Sequence, residues 1–153
     1  MNNKILIVFG TRPEAIKLCP LILTLKKDSF FEVIVCSTGQ HREMLYQVLD
    51  IFDIKPDYDF NLMNKCNSLS SLTSLIIENV ENLIKKEKPG FILVQGDTTS
   101  ALASSVVGFY NKLKIIHLEA GLRTFNKYSP FPEEINRKII STYSDYNLAP
   151  TDL

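Results

Sequence analysis

Residues 4–20 read KILIVFGTRPEAIKLCP and decide the fold class. The first six residues form a mostly apolar, β-branched run, which is typical of a strand buried on both faces of a sheet. Gly10 ends this run. Thr11 and Glu14 then have the spacing of a capping box, with Pro13 in the first turn, so the pattern predicts a helix to about residue 27. A buried strand that leads directly into a helix is the first unit of an α/β fold.

The rest of the chain repeats this alternation. The later predicted strands cover residues 32–38, 56–62, 91–95, 114–118 and 146–149, of which 56–62 is the weakest, and the helices cover 41–52, 68–88, 96–110 and 133–143. In the helix over 68–88 the spacing of one buried stripe is followed by Leu72, Leu75, Ile76, Val80, Leu83 and Ile84. The alternation predicts a Rossmann-like, doubly wound parallel sheet, with residues 1–153 as a single domain.

The composition argues against several classes of protein. Lys plus Arg and Asp plus Glu number 17 each, so the net charge is zero and we expect neither a nucleic-acid nor a membrane partner. No apolar run approaches the roughly 20 residues of a membrane helix, and we expect no signal peptide. The three cysteines are widely spaced without a CxxC pair, which predicts reduced thiols and a cytoplasmic location.

Polar residues and glycines follow the predicted strands, at the ends where open parallel sheets bind ligands. These segments read GTR at 10–12, TGQH at 38–41, QGDT at 95–98 and HLEAG at 117–121. The dinucleotide fingerprint GxGxxG and the Walker sequence are absent, which disfavours an NAD enzyme or an ATPase. Arg12 and Lys17, near the start of the first helix, could hold a diphosphate instead. The alternative is that Arg12 pairs with Glu14 or another carboxylate at the surface.

The acidic residues of these segments each have a structural and a functional interpretation. Asp97 is either a helix N-cap or a ligand contact at the mouth of the cleft. His117 and Glu119 are two apart on a strand and are expected to face the same way. Glu119 is either the partner of Arg123 or a carboxylate of tunable pKa. A metal site formed by Asp97, His117 and Glu119 is less favoured, because no metal-binding signature supports it.

Two further segments open helices. Glu133 lies in the first turn of the last helix, where the helix dipole favours a carboxylate. Arg137, one turn later, is expected to pair with Glu133 or to bind an anion. Residues 40–44 open the second helix, and their simplest interpretation is a solvated first turn.

Five motifs, in this order and at these intervals, closely resemble the non-hydrolysing bacterial UDP-N-acetylglucosamine (UDP-GlcNAc) 2-epimerases. They are FGTRPEAIKLCP at 9–20, QHREML at 40–45, GDTTSALA at 96–103, HLEAGLRT at 117–124 and YSPFPEEINR at 128–137. The resemblance covers residues 4–150 and implies a two-domain fold of the GT-B type, with the sugar nucleotide between two Rossmann-like halves. It matches the N-terminal half, so we expect the C-terminal domain to be absent from this sequence.

The resemblance implies an isomerase that inverts C2 of the sugar, giving UDP-ManNAc by elimination and re-addition of UDP, without cofactor or metal. The acid/base residues that it implies are Asp97, Glu119 and Glu133. The substrate-binding residues that it implies are Arg12 and Lys17 on the nucleotide side and Arg137 near the carboxylates and the diphosphate. It assigns no catalytic role to His117, which we interpret as a structural or cleft-lining residue.

The family is also regulated by a second UDP-GlcNAc, and the matching residues here are Gln40, His41 and Glu43. This chain departs from the family at Cys66-Asn67, which replaces an Arg-Gln pair and removes a cation. The resemblance further implies a homodimer that supplies ManNAc units for cell-surface polysaccharide. The alternatives are a hydrolysing epimerase, a UDP-sugar glycosyltransferase, or an inert sugar-nucleotide-binding or dimerising fragment. For the isolated 153-residue chain we expect no turnover.

Overall fold

The computed structural model describes residues 2–39 and 42–150, without the side chains of Arg42, Glu43 and Met63. Its strands are β1 (Lys4–Phe9), β2 (Glu32–Ser37), β3 (Tyr58–Asp59), β4 (Phe91–Gln95), β5 (Lys114–Leu118) and β6 (Tyr146–Leu148). Its helices are α1 (Arg12–Lys27), α2 (Arg42–Ile51), α3 (Leu69–Glu87), α4 (Thr99–Tyr110) and α5 (Glu133–Tyr143), with one 3-10 turn at Met63–Lys65. Among the described helices, none combines the length and the hydropathy needed to span a bilayer.

The six strands form one parallel sheet in the order β3-β2-β1-β4-β5-β6. β1 pairs with β2 along its whole length, from Lys4 opposite Glu32 to Phe9 opposite Ser37. On its other side β1 pairs with β4. The order of the strands reverses between β1 and β4, so a crevice opens at the carboxyl ends of these two strands. The arrangement confirms the predicted fold class, an α/β protein with a doubly wound parallel sheet.

Helices cover both faces of the sheet. Ile5, Ile7 and Phe9 of β1 pack against α1 and α2, whereas Leu6 and Val8 belong to the cluster that includes α3 and α4. Because successive strand side chains point to opposite faces, a strand covered on both sides must be apolar throughout. This explains the unbroken apolar run from which β1 was predicted.

The predicted stripe of α3 packs on the sheet, with its residues Leu72, Ile76, Val80, Leu83 and Ile84 buried and Leu75 partly buried. The neighbouring helix α4 approaches the sheet closely at Gly108, where an added Cβ would lie 2.6 Å from Ile92 Cγ2. Small residues in α4 therefore allow it to lie directly over β4.

The predicted boundaries differ most from the structure at β3 and α4. The segment predicted as a strand over 56–62 forms only the two-residue β3, because the chain enters a left-handed conformation at Asn61, with φ of 49°. Helix α4 begins at Thr99 rather than at 96, because Gly96 is also left-handed, with φ of 70°, and Thr98 caps the helix. The turn between β4 and α4 therefore holds Asp97 outside the helix.

Candidate functional site

The carboxyl ends of β4 and β5 and the first turns of α1 and α5 bring several charged side chains together. Glu119 directly follows β5 and accepts hydrogen bonds from Lys17 Nζ of α1, at 2.6 Å and 2.7 Å to its two oxygens. Gln95, the last residue of β4, donates to Glu119 Oε2. The Lys17 side chain is 45% exposed and that of Glu119 19% exposed, so the pair lies at the rim of the crevice. One cation and one amide thus hold the Glu119 carboxylate.

Glu119 and His117 do not face the same way, so that prediction is wrong. Glu119 has φ of 64°, in the left-handed region that residues other than glycine rarely adopt, and this turn directs its side chain towards α1. His117 is fully buried, and its Nε2 and Nδ1 are hydrogen-bonded to Gly96 O at 2.7 Å and to Ser141 Oγ at 3.2 Å. Burial lowers the pKa of His117. The histidine therefore joins the β4–α4 turn to α5 from below the crevice.

The segment between β5 and α5 is held by Glu134, and Arg123 is not the partner of Glu119. Arg123 Nη1 donates instead to two backbone carbonyls of its own segment, both at 2.7 Å. Glu134 accepts hydrogen bonds from the N–H groups of Thr124 and Phe125 at 2.9 Å and 3.2 Å. The bond from Thr124 is the main cause of the lowered pKa of Glu134. A buried carboxylate thus fixes the loop in front of α5.

Asp97 lies in the turn between β4 and α4 and does not cap the helix, a role that Thr98 fills. Its Oδ2 lies 2.5 Å from Arg137 Nη2, and its backbone carbonyl accepts a hydrogen bond from Asn136 Nδ2 at 2.8 Å. Burial raises the pKa of Asp97, and the positive charge of Arg137 opposes that shift. Two neighbouring residues of α5 therefore hold both the side chain and the backbone of Asp97.

Glu133 and Arg137 contribute further polar atoms from the first two turns of α5. The predicted pairing of Arg137 with Glu133 is not formed, because Arg137 binds Asp97 and lies 4.0 Å from Glu119 Oε2. Glu133 Oε2 and Arg137 Nε are buried without a hydrogen-bond partner among the described residues. The negative charge of Glu133 adds to the raised pKa of Asp97. One acceptor and one donor are therefore available to a ligand.

Arg12 and Glu14 do not pair, which contradicts the surface alternative for Arg12. Arg12 is exposed at the start of α1 and forms no ion pair within the described part of the chain. Glu14 is 1% exposed, and its Oε2 accepts hydrogen bonds from Gly10 N at 2.9 Å and Thr11 N at 2.7 Å. The predicted capping box at Thr11 and Glu14 is confirmed. Arg12 therefore remains free for a ligand at the mouth of the crevice.

The predicted regulatory residues lie at the start of α2 and just before it. Gln40 and His41 lie outside the described residues, as does the side chain of Glu43, whose backbone belongs to α2. Asn67 lies just before α3 and donates its backbone N–H to Ser71 Oγ at 3.2 Å. The second UDP-GlcNAc site stays a prediction.

The less favoured metal alternative does not match the observed geometry. Both ring nitrogens of His117 are engaged with Gly96 and Ser141, so the histidine does not join the two carboxylates of that trio. Within residues 2–39 and 42–150, no group of three or more His, Cys, Asp or Glu side chains has an arrangement suited to a metal ion. Asp97 and Glu119 are instead partnered by an arginine and a lysine.

An open cavity of about 300 Å³ lies beside the Lys17–Glu119 pair, lined by Lys17, Leu118, Glu119, Leu148, Ala149 and Pro150. It is mostly apolar apart from the ion pair. The crevice at the carboxyl ends of the strands thus combines an apolar wall with acidic and basic groups, as ligand sites in proteins commonly do.

Sequence reasoning missed Gln95 and Asn136, which contact Glu119 and the backbone of Asp97. Gln95 carried a usable signal, since it is the only polar residue of a strand that is otherwise apolar, directly before a turn. Asn136 carried none, because an Asn one position before Arg137 on a helix is ordinary until the fold brings it beneath the β4–α4 turn.

Comparison with known proteins identifies relatives over almost the whole chain. The family model described as UDP-N-acetylglucosamine 2-epimerase matches residues 23–153. The UDP-N-acetylglucosamine 2-epimerase of Salmonella borreze is 51% identical over 149 residues, which are 97% of this chain and 39% of that protein. The enzyme of that name from Escherichia coli K12 is 50% identical, with 97% and 40% covered. The chain thus spans about two fifths of the length of these relatives.

Solved structures give the same result. The UDP-GlcNAc 2-epimerase of Neisseria meningitidis, crystallised with UDP-GlcNAc, superposes with a TM-score of 0.94 at 51% identity, covering 97% of this chain and 40% of that one. The Methanocaldococcus jannaschii enzyme, in complex with UDP-GlcNAc and UDP, superposes with a TM-score of 0.90 at 35% identity, covering 97% and 41%. Sequence and fold agree over almost the whole chain, and the chain belongs to the UDP-N-acetylglucosamine 2-epimerase family.

Proposed function

We propose that this chain forms the N-terminal half of an isomerase that interconverts UDP-GlcNAc and UDP-ManNAc by elimination and re-addition of UDP. The observation that carries the proposal is the convergence of Asp97, Glu119 and Glu133 at the carboxyl edge of the sheet, with Lys17 and Arg137 between them. Membership of the epimerase family supports the choice of substrate. The hydrolysing epimerase and the glycosyltransferase are the alternatives that the experiment below separates.

The reaction requires acid–base groups, because the C2 hydrogen of the sugar is not adjacent to a carbonyl and is not acidic in the ground state. Cleavage of the C1–O bond sends its electron pair to UDP and builds positive charge at C1. A base then takes the C2 proton and a C1–C2 double bond forms. A proton delivered to the other face of C2, with re-formation of the C1–O bond to UDP, gives the epimer. Such proton transfers depend on positioned groups of suitable pKa.

The three carboxylates are proposed as these acid–base groups. Asp97 suits proton exchange because burial raises the pKa of its carboxyl group above the ordinary value. The positive charge of Arg137 opposes this shift and so favours the ionised form. Glu133 has a buried oxygen without a partner among the described residues, which leaves it free to accept a proton or a sugar hydroxyl. The Glu119 carboxylate is held by Lys17 and Gln95, which restricts its orientation.

The cations of the cluster are proposed to hold the departing diphosphate. Arg137 presents its unpartnered Nε, and Arg12 is exposed at the mouth of the crevice. Lys17 is committed to Glu119 in this structure, so its contribution to the diphosphate is to neutralise a nearby carboxylate. Cations aimed at charge that develops on a leaving group lower the barrier because they are already oriented when the bond breaks.

The remaining parts of the proposal follow from the family. Because the chain spans about two fifths of its relatives' length, residues 1–153 are proposed to be one domain, and the other wall of the crevice is proposed to come from a C-terminal domain. The 153-residue chain alone is therefore proposed to be inactive. The complete enzyme is proposed to be a cytoplasmic homodimer that supplies ManNAc units for cell-surface polysaccharide, without nucleic-acid or membrane partners. A second UDP-GlcNAc is proposed to bind near Gln40, His41 and Glu43.

The test is proton NMR of UDP-GlcNAc incubated in D2O with the full-length protein that carries this sequence. Appearance of UDP-ManNAc with deuterium at C2, without free ManNAc, is expected. The variant Glu119→Gln should abolish deuterium incorporation, and Glu81→Gln, at an exposed ion pair on α3, should not. Free ManNAc and UDP would identify a hydrolysing epimerase. An unchanged C2 proton with folded, UDP-binding protein would reject the isomerase and leave a transferase or a binding module.

A further inference from the structure

The first strand-to-helix turn of a nucleotide-binding fold usually binds a ligand phosphate, through backbone N–H groups and the positive end of the helix dipole. In this chain those groups are already used. The N–H groups of Gly10 and Thr11 donate to Glu14 Oε2 at 2.9 Å and 2.7 Å, and the Thr11 hydroxyl donates to the same oxygen at 2.8 Å. A side chain of the protein therefore occupies the position of a phosphate oxygen.

The second oxygen of the same carboxylate reaches a different element. Glu14 Oε1 accepts a hydrogen bond from Thr98 Oγ1 at 2.8 Å, across 84 residues of chain. The Thr98 hydroxyl in turn caps α4, accepting from Ala101 N at 3.0 Å. Glu14 is 1% exposed, so these bonds are shielded from water. One carboxylate thus joins the N-terminus of α1 to the N-terminus of α4 across the strands β1 and β4.

We propose that Glu14 is an internal anion that takes the place of the ligand phosphate at the first turn, and that through Thr98 it positions the turn carrying Asp97. Two consequences follow for the proposed reaction, and the kinetic one depends on that reaction. The backbone N–H groups of the α1 turn do not bind the diphosphate of the substrate, which leaves only the Arg12 side chain of this turn for that role. The geometry of Asp97 depends on a residue that never touches the substrate. Glu14 is therefore a positioning residue.

The surroundings of Glu14 support an anionic form. Two N–H donors and one hydroxyl fix Oε2 as an acceptor, and a carboxylate accepts such bonds more strongly than a neutral amide does. Burial raises the pKa of Glu14, and the bonds from Gly10, Thr98 and Thr11 oppose that shift. Arg12, the cation of this turn, is exposed and forms no ion pair with Glu14 among the described residues.

The first test removes the Glu14 carboxylate and measures whether formate, a small carboxylate, can bind in its place. Thermal unfolding of the full-length protein and of Glu14→Ala is followed in sodium formate and in sodium chloride of equal ionic strength. Glu14→Ala should unfold at a lower temperature than the wild type and should regain part of the loss in formate only. The wild type and Glu81→Ala, an exposed α3 control, should respond equally to both salts. An equal response of Glu14→Ala to formate and chloride would reject the internal anion. This measurement needs no epimerase activity.

The second test concerns Asp97 and uses kinetics. In Glu14→Gln, which keeps the side-chain volume, kcat should fall about tenfold or more, because misplaced catalytic groups lose rate steeply, while KM stays within about twofold. Thr98→Val should lower kcat in the same way, whereas Thr98→Ser should have the kcat of the wild type. The double variant Glu14→Gln/Thr98→Val should have a kcat no lower than that of the less active single variant, because both changes break the same hydrogen bond. A large rise in KM with unchanged kcat would show that the backbone N–H groups of this turn hold the diphosphate and would overturn the proposal. If Glu14→Ala does not fold, the Thr98 pair still decides.

Discussion

Removal of the Arg137 guanidinium should destabilise the protein in a manner that depends on pH. Arg137 Nη2 lies 2.5 Å from Asp97 Oδ2 and 4.0 Å from Glu119 Oε2. With an effective dielectric constant of about 20, these separations correspond to attractions of about 7 and about 4 kcal/mol before the cost of desolvation. Loss of one partner of a buried pair costs about 3–5 kcal/mol, and because the Asp97 side chain is still 20% exposed we expect about 3 kcal/mol for Arg137→Met.

The sign of the pH dependence follows from Asp97. Burial raises the pKa of its folded state above the unfolded value, and the charge of Arg137 opposes that rise, so Arg137→Met should raise the pKa further. A carboxyl with a raised folded pKa lowers stability where it is ionised, and this penalty disappears as the pH falls through the folded pKa. The deficit of Arg137→Met relative to the wild type should therefore be largest near neutral pH and shrink on acidification.

The assay is urea unfolding of the wild type, Arg137→Met and Lys138→Met from about pH 8 down to about pH 4, close to the ordinary pKa of an aspartate, because the penalty is lost between the folded and the unfolded pKa. Lys138 is exposed on the same helix and serves as the matched control. The double variant Asp97→Asn/Arg137→Met should be more stable than Arg137→Met at neutral pH, because no unpaired carboxylate remains. A deficit that does not vary with pH, together with a double variant as unstable as the single one, would refute the role given to this pair.

Three further predictions concern the support of the site. Asn136→Ala removes the hydrogen bond to the Asp97 carbonyl and should lower stability by about 1 kcal/mol in urea unfolding, and kcat by more than KM rises. Glu134→Gln should destabilise near neutral pH but less at acid pH in thermal unfolding, because the lowered pKa of Glu134 stabilises the fold only while this carboxyl is ionised. Gly108→Ala should cost about 1–3 kcal/mol in urea unfolding, since its Cβ would lie 2.6 Å from Ile92 Cγ2, and Gly108→Ala with Ile92→Val should recover part of that loss.

The hydrogen bond between Glu14 and Thr98 and the polar atoms of the crevice have different consequences for the proposed function. The hydrogen bond links two helix N-termini and so supports the β4–α4 turn. Arg12 is exposed, and Arg137 Nε and Glu133 Oε2 have no hydrogen-bond partner among the described residues. A pre-organised wall of this kind suits a reaction whose intermediate must be held while the leaving group waits to return.

The sequence alone determined the fold class and most element boundaries. The apolar run of β1, the Thr11–Glu14 capping box and the stripe of α3 were all legible, because strand burial, helix capping and helix periodicity are set by residues a few positions apart. The alternation of strands and helices then implied a parallel sheet, since only crossovers join parallel strands. The polar residues that follow the strands were expected to meet at one edge of that sheet, and Asp97 and Glu119 do lie near each other there.

Only the tertiary structure decided which charges pair. Lys17 and Glu119 are 102 residues apart and Glu14 and Thr98 are 84 apart, whereas the partners considered from local spacing for these glutamates were Arg123 and Arg12. The left-handed backbone at Glu119 likewise reversed a strand-alternation argument that holds only inside the strand. Ion pairing depends on distance in space and on burial, and both are set when the crossovers bring remote strand ends to one edge.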